Sequence, residues 1–313
     1  MKEFTIGTNE ENKTLYKYLK MVLPLAPDSV IYKNLRNKNI KYNDSKASGK
    51  EKLIAGDNIK IYFSDETFSK FQATSKADSS LIYEKAYKNI RNVKIVYEDK
   101  DIVVFNKGSN VLTQKAQDDD ISLNEYLIGY LLSTRAVTLE SLKTFRPSVL
   151  NRLDRNTEGL VICSKTLRAS QVISELIRDR RITKIYKATV MGRIDKEMLL
   201  EGFLKKDEKT NTVKIYKNLT ADTKGAYPIK TRIWPVEVKD DCTLINIDLI
   251  TGKSHQIRAH LASIGHPILG DTKYGNSNFN KKYQLFSQQL TAYKLEFPDD
   301  ISIESLKGRI ITI

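Results

Sequence analysis

Cysteine is almost missing from this chain: Cys163 and Cys242 are the only two in 313 residues, and they lie far apart. So sparse a supply excludes a disulfide framework, and neither cysteine has a neighbour at metal-ligand spacing. Both are expected to be buried, reduced thiols of a reducing compartment. Long apolar runs are missing too. No stretch reaches the roughly 18 consecutive apolar residues of a membrane-spanning helix. The opening Met1-Lys-Glu-Phe-Thr-Ile-Gly7 lacks the apolar core of a secretory signal. There is no internal repeat and no low-complexity tract. Negative charge is in short supply: 38 Asp and Glu face 52 Lys and Arg, a net +14 with a pI near 9.4. An excess of that size points to a polyanion, whether RNA, DNA or an anionic membrane surface. With no membrane segment expected, a nucleic acid in the cytoplasm is favoured.

The composition that remains is that of an ordinary globular protein, 40% hydrophobic and 29% charged. The length suits one large domain plus a small one, or two medium ones. Residues 12–64 read as a small basic module. Leu15, Tyr18, Leu19, Val22 and Leu23 recur at helical spacing until Pro24 and Pro27 break it, and a second helix is expected over 29–37. A short strand with a turn follows over 39–44, and a Gly56-Asp57 turn leads into an alternating strand ending near Phe63. Eleven Lys and Arg face four Asp and Glu across 12–64, with Lys33, Arg36 and Lys38 clustered at the second helix. Residues 65–90 are polar and weakly patterned, and are expected to be a linker that can include a short helix. From 91 to 313 the spacing predicts a larger domain. It includes a hairpin over 93–105, an amphipathic helix over 166–182 with Arg178, Arg180 and Arg181 in its last turns, and strands over 184–192 and 243–249. A short helix over 256–264 is stopped by Gly265. Strands outnumber helices after residue 90. The expected fold is α+β, with a largely antiparallel sheet in the second domain.

The most informative segment is Arg146-Pro-Ser-Val-Leu-Asn-Arg-Leu-Asp-Arg-Asn-Thr-Glu-Gly-Leu-Val-Ile-Cys-Ser-Lys-Thr166. It sets one carboxylate, Asp154, between Arg152 and Arg155, with a buried-strand run close behind. From spacing alone Asp154 reads as a surface ion pair with either arginine, or as a reactive group held at the mouth of a cleft. Three histidines, His255, His260 and His266, fall close together. Without a cysteine or carboxylate at ligand spacing they predict no metal site.

This segment resembles the catalytic motif of the pseudouridine synthases, in the branch that modifies large ribosomal and transfer RNA. The resemblance continues through Lys184-x-Tyr186-x-Ala188, Thr251-Gly-Lys-Ser-His-Gln-Ile-Arg258 and Gly270-Asp271-x-x-Tyr274-Gly275, in the family's order. It implies that Asp154 is the essential carboxylate, that Arg258 pairs with it, and that Tyr186 stacks on uracil and can take or relay the C5 proton. A uridine inside a stem must leave its stack to reach such a pocket, and Arg152, two residues before Asp154, is expected to fill the space of the flipped-out base. Arg155, Thr157 and Ile257 are then expected to touch substrate. Isomerising uridine requires breaking the glycosidic bond, turning the uracil and rejoining it at C5. An ionised Asp can attack ribose, attack the ring or assist glycal formation, and all three routes stay open. No cofactor is implied.

Residues 12–64 resemble the S4 RNA-binding domain, which makes Lys33, Arg36 and Lys38 expected RNA contacts. The sequence departs from the family pattern at Asn151 (usually His), Glu158 (often Ser), Lys253 (usually Arg) and Gly108, where Pro is expected. The expected substrate is 23S ribosomal RNA, free or in an assembling large subunit, and the expected state is a monomer. Alternatives are the same chemistry on transfer RNA, or a non-catalytic RNA-binding or ribosome-assembly protein. A glycoside hydrolase would want a second carboxylate as general acid, and none sits in these motifs.

Overall fold

A computed structural model describes residues 1–72, 77–220 and 223–313. Met1–Asn89, Glu125–Pro147 and Thr166–Arg168 form one compact unit; Ile90–Asn124, Ser148–Lys165 and Ala169–Ile313 form a second.

The first unit opens with strand β1 (Lys2–Thr5), then helices α1 (Leu15–Val22) and α2 (Asp28–Arg36). Thr14 caps α1 by accepting the Lys17 N–H, and Leu15, Tyr18, Leu19 and Val22 form its buried stripe. Strands β2 (Ile40–Tyr42) and β3 (Ser45–Lys46) are joined through Asn43 and Asp44, both at positive φ as a two-residue hairpin turn demands. With β4 (Asn58–Ile61) they complete an antiparallel sheet in the order β1-β4-β2-β3. Leu15, Leu19, Ile31, Leu35, Ile40, Ile59 and Ile61 fill the core between helices and sheet.

Two boundaries differ from the sequence reading. The sheet takes in residues before 12, because β1 pairs with β4. The expected linker carries two helices, α3 (Asp65–Phe71), capped by Ser64, and α4 (Ala77–Asn89); its residues 73–76 lie outside the described residues. Their sparse apolar positions hid them, although Phe68 is buried in the unit's core. A further segment joins from far along the chain: helix α5 (Leu123–Ser133) brings Ile128 to a small cluster with Tyr83 and Leu142.

The second unit is built on one sheet. Its strands are β5 (Val93–Glu98), β6 (Ile102–Lys107), β7 (Ser148–Val149), β8 (Glu158–Ser164), β9 (Thr183–Met191), β10 (Met198–Asp207), β11 (Thr212–Tyr216), β12 (Tyr227–Val238), β13 (Cys242–Asp248), β14 (Leu290–Glu296) and β15 (Ile310–Thr312). The order is β11-β10-β12-β13-β9-β14-β8-β6-β5, with β15 on β14 and β7 on β8. Among the described residues every ladder is antiparallel except β14 with β8. The fold class is the expected α+β with a mixed, largely antiparallel sheet.

Helix α6 (Leu167–Arg178) lays Ala169, Ile173 and Leu176 on the sheet against Ile102, Val104, Leu160 and Ile162. It ends earlier than expected. Arg180 takes φ +60°, the Arg181 N–H reaches the Leu176 carbonyl and the Arg180 N–H reaches that of Ile177, so Arg180 and Arg181 lie beyond the last turn. This closing motif usually uses glycine. Lys38 after α2 does the same, with Asn39 bonding back to Asn34. Helix α7 (Gln256–Ser263) closes on Gly265 as the sequence predicts, and α8 (Ser277–Lys282) follows.

Candidate active site

A cleft of about 690 Å³ opens in the second unit, lined by the 112–116 and 150–157 loops, Tyr186 of β9, and the start of α7. Asp154 sits in it, its side chain 29% exposed. The loop that carries Asp154 is tied down on both sides. Before it, the Thr113 hydroxyl accepts the Leu153 N–H (3.1 Å) and donates to the Leu153 carbonyl (2.8 Å). After it, the Thr157 N–H closes a turn on the Asp154 carbonyl (3.0 Å), and the Thr157 hydroxyl accepts from buried Gln288.

Two departures from the expected pattern, and one residue that keeps to it, have local reasons. Asn151 bridges loop and strand, accepting the Ile162 N–H (2.7 Å) and donating to the Leu160 carbonyl (3.2 Å). At 108 the backbone N–H donates to the Asn92 carbonyl (2.6 Å), a bond that proline could not make. Gly159, with φ +116°, lies where β8 meets β14, and a Cβ there would come within 2.3 Å of the Ala292 carbonyl oxygen.

Asp154 does not pair with Arg152 or Arg155, which line the cleft as exposed side chains. Its partner is Arg258 of α7, whose Nη1 donates to Asp154 Oδ2 at 2.8 Å. The rest of that guanidinium is held by Asp271, with Nε to Oδ2 at 2.7 Å and Nη2 to Oδ1 at 2.9 Å. His255 caps α7 with a left-handed backbone, φ +54°. Its Nδ1 meets the Tyr274 hydroxyl at 2.9 Å, and its Nε2 lies 4.0 Å from Asp154 Oδ2. Burial pushes the His255 imidazole below its usual pKa, against the opposing pull of Asp154, so the ring is neutral at neutral pH. Burial chiefly, and the Asp154 charge after it, push the Tyr186 phenol well above its usual range. Burial works against the Arg258 guanidinium, yet hydrogen bonds and charge from Asp271 and Asp154 raise it further above its ordinary value.

Behind the loop Lys107 is fully buried, its ammonium donating to the carbonyls of Gly108 (2.9 Å), Val111 (3.0 Å) and Arg155 (3.1 Å). Burial lowers it to about 8, with Glu158 and Asp154 opposing. The 106–109 turn, read only as a departure from pattern, is therefore a support for the Asp154 loop.

The cleft brings together Asp154, Tyr186, Arg258, Arg152, Arg155, Thr157 and Ile257. Lys33, Arg36 and Lys38 belong to the first unit, exposed on α2 and just past its end, and among the described residues none forms an ion pair within 4.0 Å. The three histidines face separate partners: His255 meets Tyr274, His260 meets the Thr231 hydroxyl, and His266 meets the Met191 carbonyl. Asp271 and Tyr274 stood inside a quoted motif without a role, and Lys107 stood beside the departure at Gly108. Thr113 and Gln288 carried no signal, since each meets the site only through the fold.

Comparison with known proteins bears on the family and the fold. The family described as RNA pseudouridylate synthase matches residues 101–263, just over half of the chain. An uncharacterized RNA pseudouridine synthase of Mycoplasma capricolum is 29% identical over 95% of this chain and 92% of its own. A ribosomal large subunit pseudouridine synthase C of Rickettsia bellii is 28% identical over 93% of both. The solved structure of human RNA pseudouridylate synthase domain containing 1 shares the fold, with a TM-score of 0.54 over 68% of this chain and 81% of that one, at 23% identity. Motif order, sheet and matched family coincide on the unit that holds Asp154, and the chain belongs to the RNA pseudouridylate synthase family.

Proposed function

We propose that this family member isomerises uridines of 23S ribosomal RNA, with Asp154 as the catalytic carboxylate. One observation carries the reading: Asp154 stands at the cleft surface with a single strong cationic partner, Arg258 at 2.8 Å. A carboxylate that must act while shielded from water needs such a countercharge, or desolvation would neutralise it. A uridine flipped from its stem enters the cleft, the exposed Arg152 guanidinium takes its place in the stack, and Tyr186 supports the uracil ring. The Tyr186 phenol stays protonated, so it offers a face and a donor, not a base. The C5 proton then passes to Asp154 or to water. Arg155, Thr157 and Ile257 line the path of the nucleotide.

Relatives named for the large ribosomal subunit, such as a pseudouridine synthase D of Nitrosomonas europaea at 25% identity, favour ribosomal RNA as the target. So does the basic first unit, read as an S4-like grip on a large structured RNA through Lys33, Arg36 and Lys38. Among the described residues no helix is long and apolar enough to cross a membrane. The reading is of a cytoplasmic monomer acting on free RNA or on an assembling subunit.

The test is tritium release from 23S transcript labelled at uracil C5, by the wild type and by Asp154→Asn. Release that the substitution abolishes is the expected result. Release by neither, with tight binding kept, transfers the target to transfer RNA or to an assembled particle. No release there either would leave a binding protein on this fold.

A further inference from the structure

The catalytic reading uses one contact of Arg258 and leaves two unexplained. We infer that Asp271 is a positioning residue that divides the Arg258 charge between two carboxylates, so that Asp154 is held in place without being fully neutralised. This rests on Asp154 being the reacting carboxylate.

Asp271 is built as a fixed anionic seat. Its side chain is fully buried. Oδ1 accepts the Lys273 and Tyr274 N–H groups (2.8 and 3.0 Å) in a turn that Asp favours, as well as Arg258 Nη2. Its carbonyl accepts from Asn280 Nδ2 (3.0 Å), while Asn280 Oδ1 accepts the Gly270 N–H (2.8 Å). Burial alone would raise the Asp271 carboxyl; the Arg258 bonds and charge, with the two N–H groups, outweigh it and hold the carboxyl below its usual range. The seat therefore stays charged whenever the enzyme works.

Its consequence lies in the geometry of the fork. A free guanidinium facing a carboxylate tends to pair through two parallel bonds. Here the Nε–Nη2 edge is taken by Asp271, and only Nη1 is left for Asp154. Asp154 keeps its orientation and countercharge, but through one contact to a cation already shared. The other titratable or charged groups around it are His255 at the α7 cap, Tyr186 of β9 and Lys107 of β6, the exposed Arg152 and Arg155 of its own loop and Lys253 before α7, with Tyr274 behind Arg258. None of them can take over the Nε–Nη2 edge.

Replacing Asp271 by Asn keeps the shape and removes the second negative charge. Arg258 then acts on Asp154 alone, which favours the ionised, less basic form. The experiment follows the Asp154 carboxyl carbon by 13C NMR across pH, assigned through Asp154→Asn, and the pH–rate profile of tritium release. Asp271→Asn is expected to move the carbon's midpoint and the acid limb of the rate to lower pH by about one unit, with tritium release down about tenfold. Asp271→Glu, which keeps the charge, is expected to leave the midpoint within a few tenths of wild type. A folded Asn variant with an unmoved midpoint overturns the inference and makes Asp271 a structural anchor only. Should the Asn variant fail to fold, a folded Glu variant whose midpoint shifts by a full unit overturns it as well. The carbon titration needs no RNA, so a wild type inactive on 23S transcript refutes the target while the midpoints still decide the role of Asp271.

Discussion

Two sets of positive charges, one in each unit, stand in opposite surroundings. In the second unit Arg258 is nearly buried, makes three hydrogen bonds to two carboxylates and can occupy one geometry. On the first unit Lys33, Arg36 and Lys38 are exposed, make no ion pair among the described residues and can swing freely. A buried, paired charge sets the behaviour of one neighbour and is little affected by salt. Exposed, unpaired charges add to a general attraction for phosphate that salt screens. On the proposed reading the first kind serves chemistry and the second serves grip, so the two should fail independently.

Breaking the chemical half should cost most. Asp154→Asn is expected to lower turnover on the order of 10⁴-fold, while filter-binding affinity for RNA and its salt slope stay as in wild type. A parallel fall in affinity would mean that the halves are not separable. Next comes Gly159→Ala, which forces a Cβ onto the Ala292 carbonyl at a backbone angle that alanine resists. Shifting the loop by a fraction of an ångström should cost about 100-fold in turnover and about 3 kcal/mol in denaturant titration. Unchanged kinetics would show that the β8–β14 junction does not position Asp154. Replacing Lys33, Arg36 and Lys38 together by Ala should weaken RNA binding on the order of tenfold and flatten its salt slope by about three, with single-turnover chemistry at saturation unaltered. A slope equal to that of wild type would remove this helix from the RNA contact. The smallest effects sharpen the comparison most. Lys38 and Arg180 both hold left-handed backbone positions that glycine occupies more easily. Lys38→Gly and Arg180→Gly should each stabilise the protein by about 1 kcal/mol, read as a higher urea midpoint, but only Lys38→Gly should loosen RNA.

Much of the site was legible because it lies in short contiguous motifs. Asp154, Tyr186 and Arg258 each sit in a segment that resembles a family motif, although residue type alone did not single out Arg258 among so many basic residues. Strands such as β9 and β13 announced themselves by alternation. The rest was hidden for definite reasons. Strand β12 contains Pro235, which argues against an interior strand until the ladder shows a register shift between Pro235 and Glu237. Helix α4 lacks a clear apolar stripe, so its sequence read as linker. Thr113 and Gln288 support the Asp154 loop from 40 and 131 residues away, and no local pattern records such a contact. Asp271 was visible as a letter in a motif, but its partner lies thirteen residues back, and only the fold turns the two toward each other.

The parallel contact between β8 and β14 also has a consequence in time. Asp154 precedes β8, yet its loop is completed by Gln288 and by β14, which begins at Leu290 near the far end of the sequence. Chains emerge from the ribosome beginning with their first residues, and contacts between distant segments form slowly. The β1–β4 sheet and the helices packed on it can gather early, whereas the cleft must wait until nearly the whole chain has been made. If the first unit grips RNA as proposed, a nascent copy of this protein can hold RNA before it is able to alter it.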